Sequence, residues 1–460
     1  DATLSGGDCG PEFLYLAKGG LSGAARLTTL GLTDTGQEAG RTTELLVVTS
    51  AGDVVRRSGD DWDTVEAGAL IGGRPASATL SGKTFFADGI GYRVYDHQLR
   101  QLRDFEEAVS GEFPPRCRFI AAYRGRLVLA GGDNAFTIYQ SRFGDPFDFE
   151  FGVEIQSIAQ AVAGTTSSQG SVPEPITALM PFRNEVLFVG TTESLWAITG
   201  DLADGGRLDH VDKSQGVASG YAWCESPRGI YYFSSRGGVM LISGAQPFPV
   251  SRAIERRLEE IDLSSHRVEL SYNWIDKTVH VYVIPKALGS VVQHFVHCEE
   301  SGAWFVDDFG DGYERAITGA ETMVGDTPED RTLMLGMADG QVYRWDQYAG
   351  NDAGRDVQSS AVVGPLVPSA QATEVRVRGF HAQISSSQGS VQVATRASES
   401  ADAMGPPSQF REVRPGRGSG VPLGASAPAV FIEVQGRGSA WSIHEARVEV
   451  ERVGEARRMR

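Results

Sequence analysis

Two histidines and a cysteine, His294, His297 and Cys298, stand within five residues, and imidazole and thiolate are common zinc ligands. The residues around them are those of a strand, and strand residues three apart point to opposite faces, so the two imidazoles do not converge. Packing with half-buried rings is the expected role. His280, on the neighbouring predicted strand, alters this only if the register sets it beside one of them. The run Asp307–Gly312 (DDFGDG) resembles a calcium loop loosely. Phe309 occupies a slot where an oxygen ligand belongs and position twelve is Thr318 rather than Glu, so a turn is expected. Ser58–Trp62 (SGDDW) is a weak echo of the aspartate box, which is itself a turn device. Gly416–Gly424 (GRGSGVPLG) lacks the strand-to-helix setting that a phosphate cradle requires. No nucleophile elbow, Walker loop or HExxH zinc motif occurs, and no acidic pair is singled out for glycoside hydrolysis. The chain is expected to be no enzyme and to carry no catalytic residue, cofactor or metal.

The elements that would position such residues are almost all strands. Hydrophobic residues make up 41% of the 460, enough for real cores, and many of the 56 glycines fall between short apolar runs, as tight turns require. Apolar or aromatic strand pairs recur across polar turns in 44–62, 83–96, 119–141, 176–198, 229–243, 268–306 and 332–346. Their spacing is roughly 40 residues, the period of a propeller blade. The sequence thus predicts an all-β fold, a β-propeller of six to eight degenerate blades, with no WD40 or kelch signature. One amphipathic helix is predicted over 251–261, with Ser251 as cap and Ile254, Leu258 and Ile261 on one face.

A second unit follows. Alternating strands at 374–385, 390–396, 430–435 and 443–453 predict a small β-sandwich, with the proline- and glycine-rich 404–428 as a long loop. The expected domains are 1–354, a propeller-like repeat with an N-terminal extension, and 355–460, the sandwich.

Charge separates the two units. Residues 355–460 hold 13 arginines, no lysine and 10 Asp plus Glu, a net of +3. The first 354 residues hold 29 basic and 49 acidic side chains, a net of −20. That balance argues against a general role in coating DNA or membranes; it suits solubility, or, in a sharper reading, an acidic surface that repels a polyanion. Cys9, Cys117, Cys224 and Cys298 lie far apart without a CxxC pair, which points to a reducing compartment during assembly. No apolar run approaches the roughly 20 residues that span a bilayer. No signal peptide is visible, and a chain starting at Asp1 suggests a processed or trimmed start.

An ordered series of segments adds a further reading. Tyr139–Gly152 (YQSRFGDPFDFEFG) is followed by Ile176–Asp201 (ITALMPFRNEVLFVGTTESLWAITGD), Gly229–Gly244 (GIYYFSSRGGVMLISG), Pro249–Asp262 and Gly302–Phe305 (GAWF). In this order they resemble the nozzle, or tubular tail, proteins of short-tailed bacteriophages. The resemblance covers roughly residues 80–350 and leaves the N-terminal 40 residues and the C-terminal unit outside it.

The resemblance implies a virion tail component assembled in the host cytoplasm. Typically six copies would form a ring around the DNA exit channel and dock adaptor or portal proteins on one side and fibres or a needle on the other. Ring assembly would use closing, heterologous interfaces, for which long loops and the added sandwich supply surface. Arg142, Asp145, Pro146, Phe147 and Asp148 at the turn, and the blade aromatics Trp196 and Trp304, then have structural roles. The competing expectation is a receptor- or glycan-binding propeller of a tail fibre or spike.

Overall fold

A computed structural model describes residues 14–16, 45–49, 51–58, 61–106, 109–152, 157–164, 170–244, 246–286, 292–307, 317–324, 331–337, 342–345, 351–352, 355–356, 358–367, 372–386, 391–401, 403–413, 416–437 and 441–455. The chain divides into two compact units, Ala2–Trp345 and Asp346–Arg460, against the 354/355 division expected from the sequence.

Among the described residues, seven antiparallel sheets follow one another along the first unit. Blade 1 holds β1 (Leu14–Leu16), β2 (Leu46–Thr49), β3 (Val54–Ser58) and β4 (Asp61–Glu66). Blade 2 holds β5 (Ala76–Leu80), β6 (Lys83–Ala87), β7 (Tyr92–Asp96) and β8 (Gln101–Asp104). After β9 (Ser110–Gly111), blade 3 is β10 (Phe119–Tyr123), β11 (Arg126–Ala130), β12 (Ile138–Gln140) and β14 (Val162–Ala163). The inserted β13 (Asp148–Phe149) pairs in parallel with β9. Blade 4 is β15 (Ile176–Phe182), β16 (Val186–Thr191), β17 (Leu195–Thr199) and β18 (Arg207–Asp212). Blade 5 is β19 (Trp223–Ser226), β20 (Gly229–Phe233), β21 (Val239–Ile242) and β22 (Pro247–Pro249). Blade 6 is β23 (His266–Asn273), β24 (Thr278–Pro285), β25 (Gln293–Cys298) and β26 (Trp304–Asp307). Blade 7 shows three described strands, β27 (Ile317–Val324), β28 (Arg331–Met337) and β29 (Val342–Arg344).

Seven apolar layers between neighbouring blades close these sheets into a ring. Leu46 and Val48 of blade 1 meet Phe86 and Tyr95 of blade 2, while Val47 and Val55 meet Met334 and Val342 of blade 7. The same division recurs in blade 4, where Leu187 and Val189 face blade 3 and Phe188 faces blade 5. A strand buried on both faces has no polar alternation to display, so it reads as an unbroken apolar run. The five residues of β11 and the five of β20 are buried throughout. Each large side chain buried in these layers contributes about 1.5–3 kcal/mol. The fold is therefore a β-propeller with seven blades among the described residues.

The helix predicted over 251–261 is shorter, a 3-10 turn Arg252–Ile254 and then α1 (Glu255–Glu259). Leu258 is fully buried, with Ile254 and Ile261 packed on the same core between blades 5 and 6. Ser251 does not cap it; its Oγ instead accepts the Val239 N–H at 2.9 Å, fixing the helix start to β21.

The second unit begins with a short hairpin, β30 (Asn351–Asp352) and β31 (Arg355–Asp356). Its two sheets use β32 (Gln358–Leu366), β33 (Ala372–Ser386), β34 (Val391–Ser398), β35 (Arg411–Val413), β36 (Gly416–Ala427), β37 (Ala429–Arg437) and β38 (Trp441–Glu455). The sheet orders are β32-β37-β34-β35 and β36-β33-β38, and they enclose one core containing Val377, Phe380, Val393 and Ile432. The expected long loop 404–428 is corrected here, because β35 and β36 run through it. In β36 Val421, Leu423 and Ala427 are buried while Pro422 and Gly424 are exposed, a two-residue period hidden by its glycines and proline. Pro422 is tolerated because β36 is an edge strand. Among the described residues no helix is long and apolar enough to cross a membrane.

Candidate functional site

Three polar constellations stand out in the propeller unit. The first surrounds the Asp145–Pro146 turn. Asp145 Oδ1 accepts the Phe147 N–H at 2.9 Å, the Arg142 N–H donates to the Asp148 carbonyl at 2.8 Å, and the Arg142 and Asp148 side chains pair at 3.3 Å. Gly144 takes φ +76°, which only glycine adopts without strain, and donates to the Gly125 carbonyl at 2.9 Å. Pro146 is buried. Phe147 lies edge-on to Phe85 and Phe105 of the blade 2 side, with ring centroids 5.7 and 5.4 Å apart. The Ser110 N–H closes the joint on the Phe147 carbonyl at 2.9 Å. The turn is a staple between blades 2 and 3.

Arg126 anchors that staple, and sequence reasoning missed it. The string YRGR reads as a polar turn, yet Arg126 opens β11 with only 1% of its side chain exposed. Its guanidinium donates to the carbonyls of Ser141, Gln160 and Ile158, each at 2.7 Å, and to Asp201 Oδ2 at 2.8 Å. Ser141 and Asp201 belong to the first two segments of the ordered series, so one buried cation joins them. The other two singled-out residues lie elsewhere. Trp196 donates to Ser194 Oγ at 2.9 Å and meets His210 edge-on. Trp304 donates to the Val250 carbonyl at 3.0 Å and stacks on His297.

The second constellation closes the propeller axis. Arg74, in the segment entering blade 2, makes a bidentate ion pair with Glu269 on the first strand of blade 6. The two blades are not neighbours in the ring, so the pair spans its centre. Their side chains are 6% and 0% exposed. Tyr221, ahead of blade 5, donates to the Arg74 carbonyl at 2.5 Å and lies under its guanidinium at 4.1 Å. From blade 7 the Ala320 N–H donates to Glu269 at 2.8 Å. Burial works to raise the Glu269 carboxyl, but Arg74 and the Ala320 N–H outweigh it and hold it below its ordinary range. Burial pushes the Tyr221 hydroxyl up to about 12.

The third constellation lies between blades 6 and 7. Tyr282 on β24 stands opposite His294 on β25, which brings His280 diagonally beside His294. The register thus meets the condition set for His280: its Nδ1 lies 3.0 Å from His294 Nε2, and its Nε2 lies 3.0 Å from Thr278 Oγ1. Both rings are fully buried and His297 is 5% exposed, so the histidines are buried rather than half-buried. His297 faces the other layer, against Trp304 and Tyr231, as the strand period requires. Burial pushes His280 down to about 3 and His294 well below its ordinary value. His294 Nδ1 lies 3.8 Å from Asp307, whose carboxyl is pushed up to about 6 by desolvation; its side chain is 41% exposed, so water screens part of that effect.

Asp307 lines an open cleft of about 530 Å³ together with Arg257, Glu260, His266 and Gln293, and the buried His294 lies behind its wall. The cleft has hydrogen-bonding groups of both signs and one titratable carboxyl near neutrality. Among the described residues no three His, Cys, Asp or Glu side chains gather as a metal site. Of the calcium-like run only Asp307 is described, and Gly59 and Asp60 of the aspartate-box echo and Cys9 likewise lie outside the described residues.

No protein-family model and no curated protein matches the chain. Solved structures resemble it at low identity. The extracellular domain of BT4673 from B. thetaiotaomicron, solved once under the description of a one component system and once under that of a hybrid two component system, aligns at 11% identity in both cases. The TM-scores are 0.45 and 0.42, covering 70% and 89% of this chain; the chain spans 40% and 47% of those domains. YCF48, solved with a bound D1 peptide, aligns at 10% identity and TM-score 0.41, covering 74% of this chain and 96% of its own.

Proposed function

We propose that the chain is a non-enzymatic structural subunit of a bacteriophage tail, a piece of a nozzle or hub ring that borders the DNA exit channel and docks other tail proteins. The observation that carries this reading is the Arg126 network. Ser141 and Asp201 come from the first two segments of the phage-like series, and a single buried guanidinium ties them together with the Asp145–Pro146 staple. The series therefore works as scaffold rather than as a reacting site.

The sealed axis supports the same reading in a particular form. With Arg74 and Glu269 joined across the centre, DNA does not pass through a single propeller. It passes between copies, along surfaces of the acidic propeller region, net −20 over residues 1–354, which lets a polyanion slide without adhering. The location is the virion tail, after assembly in the host cytoplasm.

The cleft beside His294 and Asp307 favours a second reading, a propeller that binds a receptor or glycan as part of a tail fibre or spike. Mass photometry combined with a glycan-binding screen separates the two. A closed ring of six or twelve copies without glycan binding supports the nozzle, and a monomer or trimer that binds glycan through the cleft overturns it.

A further inference from the structure

The cleft on blade 6 is lined by two kinds of group. Val283 and Phe295 are its buried apolar residues, and Val306 is 58% exposed. The charged lining is one arginine, Arg257 of α1, and three carboxylates, those of Glu260, Asp262 and Asp307. Two of the carboxylates are already engaged. Glu260 pairs with Arg256 at 3.5 Å, while Asp262 accepts the Ser264 N–H at 2.9 Å and the Ser265 hydroxyl at 2.7 Å.

Asp307 is the exception. Among the described residues its side chain accepts no hydrogen bond and meets no cation, and its one basic neighbour, His294 Nδ1 at 3.8 Å, is kept neutral by burial. Carboxylates of similar exposure elsewhere in the blades hold an arginine: Asp63 pairs with Arg56 and Asp104 with Arg93, each at 3.0 Å. Desolvation alone acts on the Asp307 carboxyl and pushes it up to about 6. A carboxylate drawn partly out of water without a compensating charge gains most from a cation that arrives with its partner.

We propose that this cleft is a docking pocket for one arginine, presented on an extended segment of a partner protein, with its guanidinium on Asp307. The planar fork reaches both carboxylate oxygens, and a guanidinium is more weakly hydrated than an ammonium, so it enters a partly dry cleft at lower cost. Its apolar stem covers Val306 and takes that side chain out of water. A volume of about 530 Å³ falls within the roughly 300–1,000 Å³ usual for ligand sites and exceeds what a lone ion needs, so residues flanking the arginine are seated with it. The net charge of −17 over the whole chain favours encounter with a basic partner. The inference goes beyond the ring-subunit reading by naming what a docking protein presents. Every residue it uses lies in one propeller, so ring closure and this pocket are tested separately.

The test is a saturation-transfer NMR titration of the 460-residue chain with a capped Gly-Ala-Arg-Ala-Gly peptide and its norleucine counterpart. The arginine peptide should bind and the norleucine peptide should bind more weakly by roughly tenfold or more. Asp307→Asn should remove that preference. Val306→Lys, which sets a like charge in the cleft, should block the arginine peptide as well, and unchanged thermal melting shows that both variants fold. Arg257→Ala should leave binding intact or tighten it, because it removes a repelling cation. Equal binding of the two peptides, no binding of the arginine peptide at millimolar concentration, or no effect of Asp307→Asn overturns the proposal. Loss of binding in Arg257→Ala also overturns it, since the cleft would then recognise a peptide carbonyl through Arg257. Binding of a neutral glycan in the cleft, lost in Val306→Lys, overturns it in favour of the receptor-binding reading. A chain that binds the arginine peptide but forms no ring keeps the pocket and removes the ring-subunit reading instead.

Discussion

Arg74 and Glu269 lie 195 residues apart in the chain and form a buried, bidentate ion pair across the centre of the propeller. They join blade 2 to blade 6 directly, so the ring is held at its axis as well as at its seven blade-to-blade layers. Removing one partner leaves the other charge buried and uncompensated, which costs about 3–5 kcal/mol. Glu269→Gln and Arg74→Met are each expected to lower unfolding stability by that amount, measured by urea denaturation. The double variant Arg74→Met with Glu269→Leu should lose less than the two single losses together. Singles within about 1 kcal/mol of the parent chain would mean that the pair is not desolvated in solution.

Arg126 should tolerate no substitution that removes its fork of donors. Lysine keeps the charge but cannot reach Asp201 and three carbonyls together, so Arg126→Lys is expected to cost about 2 kcal/mol or more. The cooperative melting transition should move down by several degrees. An unchanged melting curve for Arg126→Lys would remove this residue from the scaffold role.

The Asp145–Pro146 staple offers an internal contrast. Phe147→Ala deletes a ring packed against Phe85 and Phe105 and should cost about 2–3 kcal/mol. The Arg142 side chain is 49% exposed in its pair with Asp148, so Arg142→Ala should cost under about 1 kcal/mol. The opposite ranking in denaturant unfolding would shift the weight of the turn from packing to charge.

The buried histidines make stability depend on pH with a definite sign. His280 and His294 stay neutral when folded but gain a proton in the unfolded chain below their ordinary value of about 6.5. The unfolded state then binds more protons, so stability falls as pH drops from about 6.5 towards the folded His280 value of about 3, by up to about 1.4 kcal/mol per pH unit for each ring. Asp307 acts in the opposite sense between about 4 and 6, because its raised value means that the folded state binds the proton first. One carboxyl offsets only part of two rings. Denaturation midpoints at pH 7 and pH 5 should show a clear acid loss, and His280→Leu with His294→Leu should flatten it. An equally steep limb in that variant would assign the acid loss to other groups.

Much of this architecture is legible in the sequence because blade strands buried on both faces appear as short apolar runs at a regular interval. β20 and β16 are visible for that reason. Arg74 and Arg126 are not, since each sits in a glycine-rich, turn-like string and takes a partner 195 or 75 residues away. The His280–His294 contact needed the strand register, which the sequence posed as a condition without resolving it. Strand β36 was masked because Pro422 and its glycines are the residues that ordinarily mark a loop.

Two-dimensional class averages of the purified 460-residue chain test the central claim most directly. A closed ring of six or twelve propellers, with a bore between copies wide enough for duplex DNA, is the predicted result. A dispersed monomer, or a trimer without a bore, contradicts it.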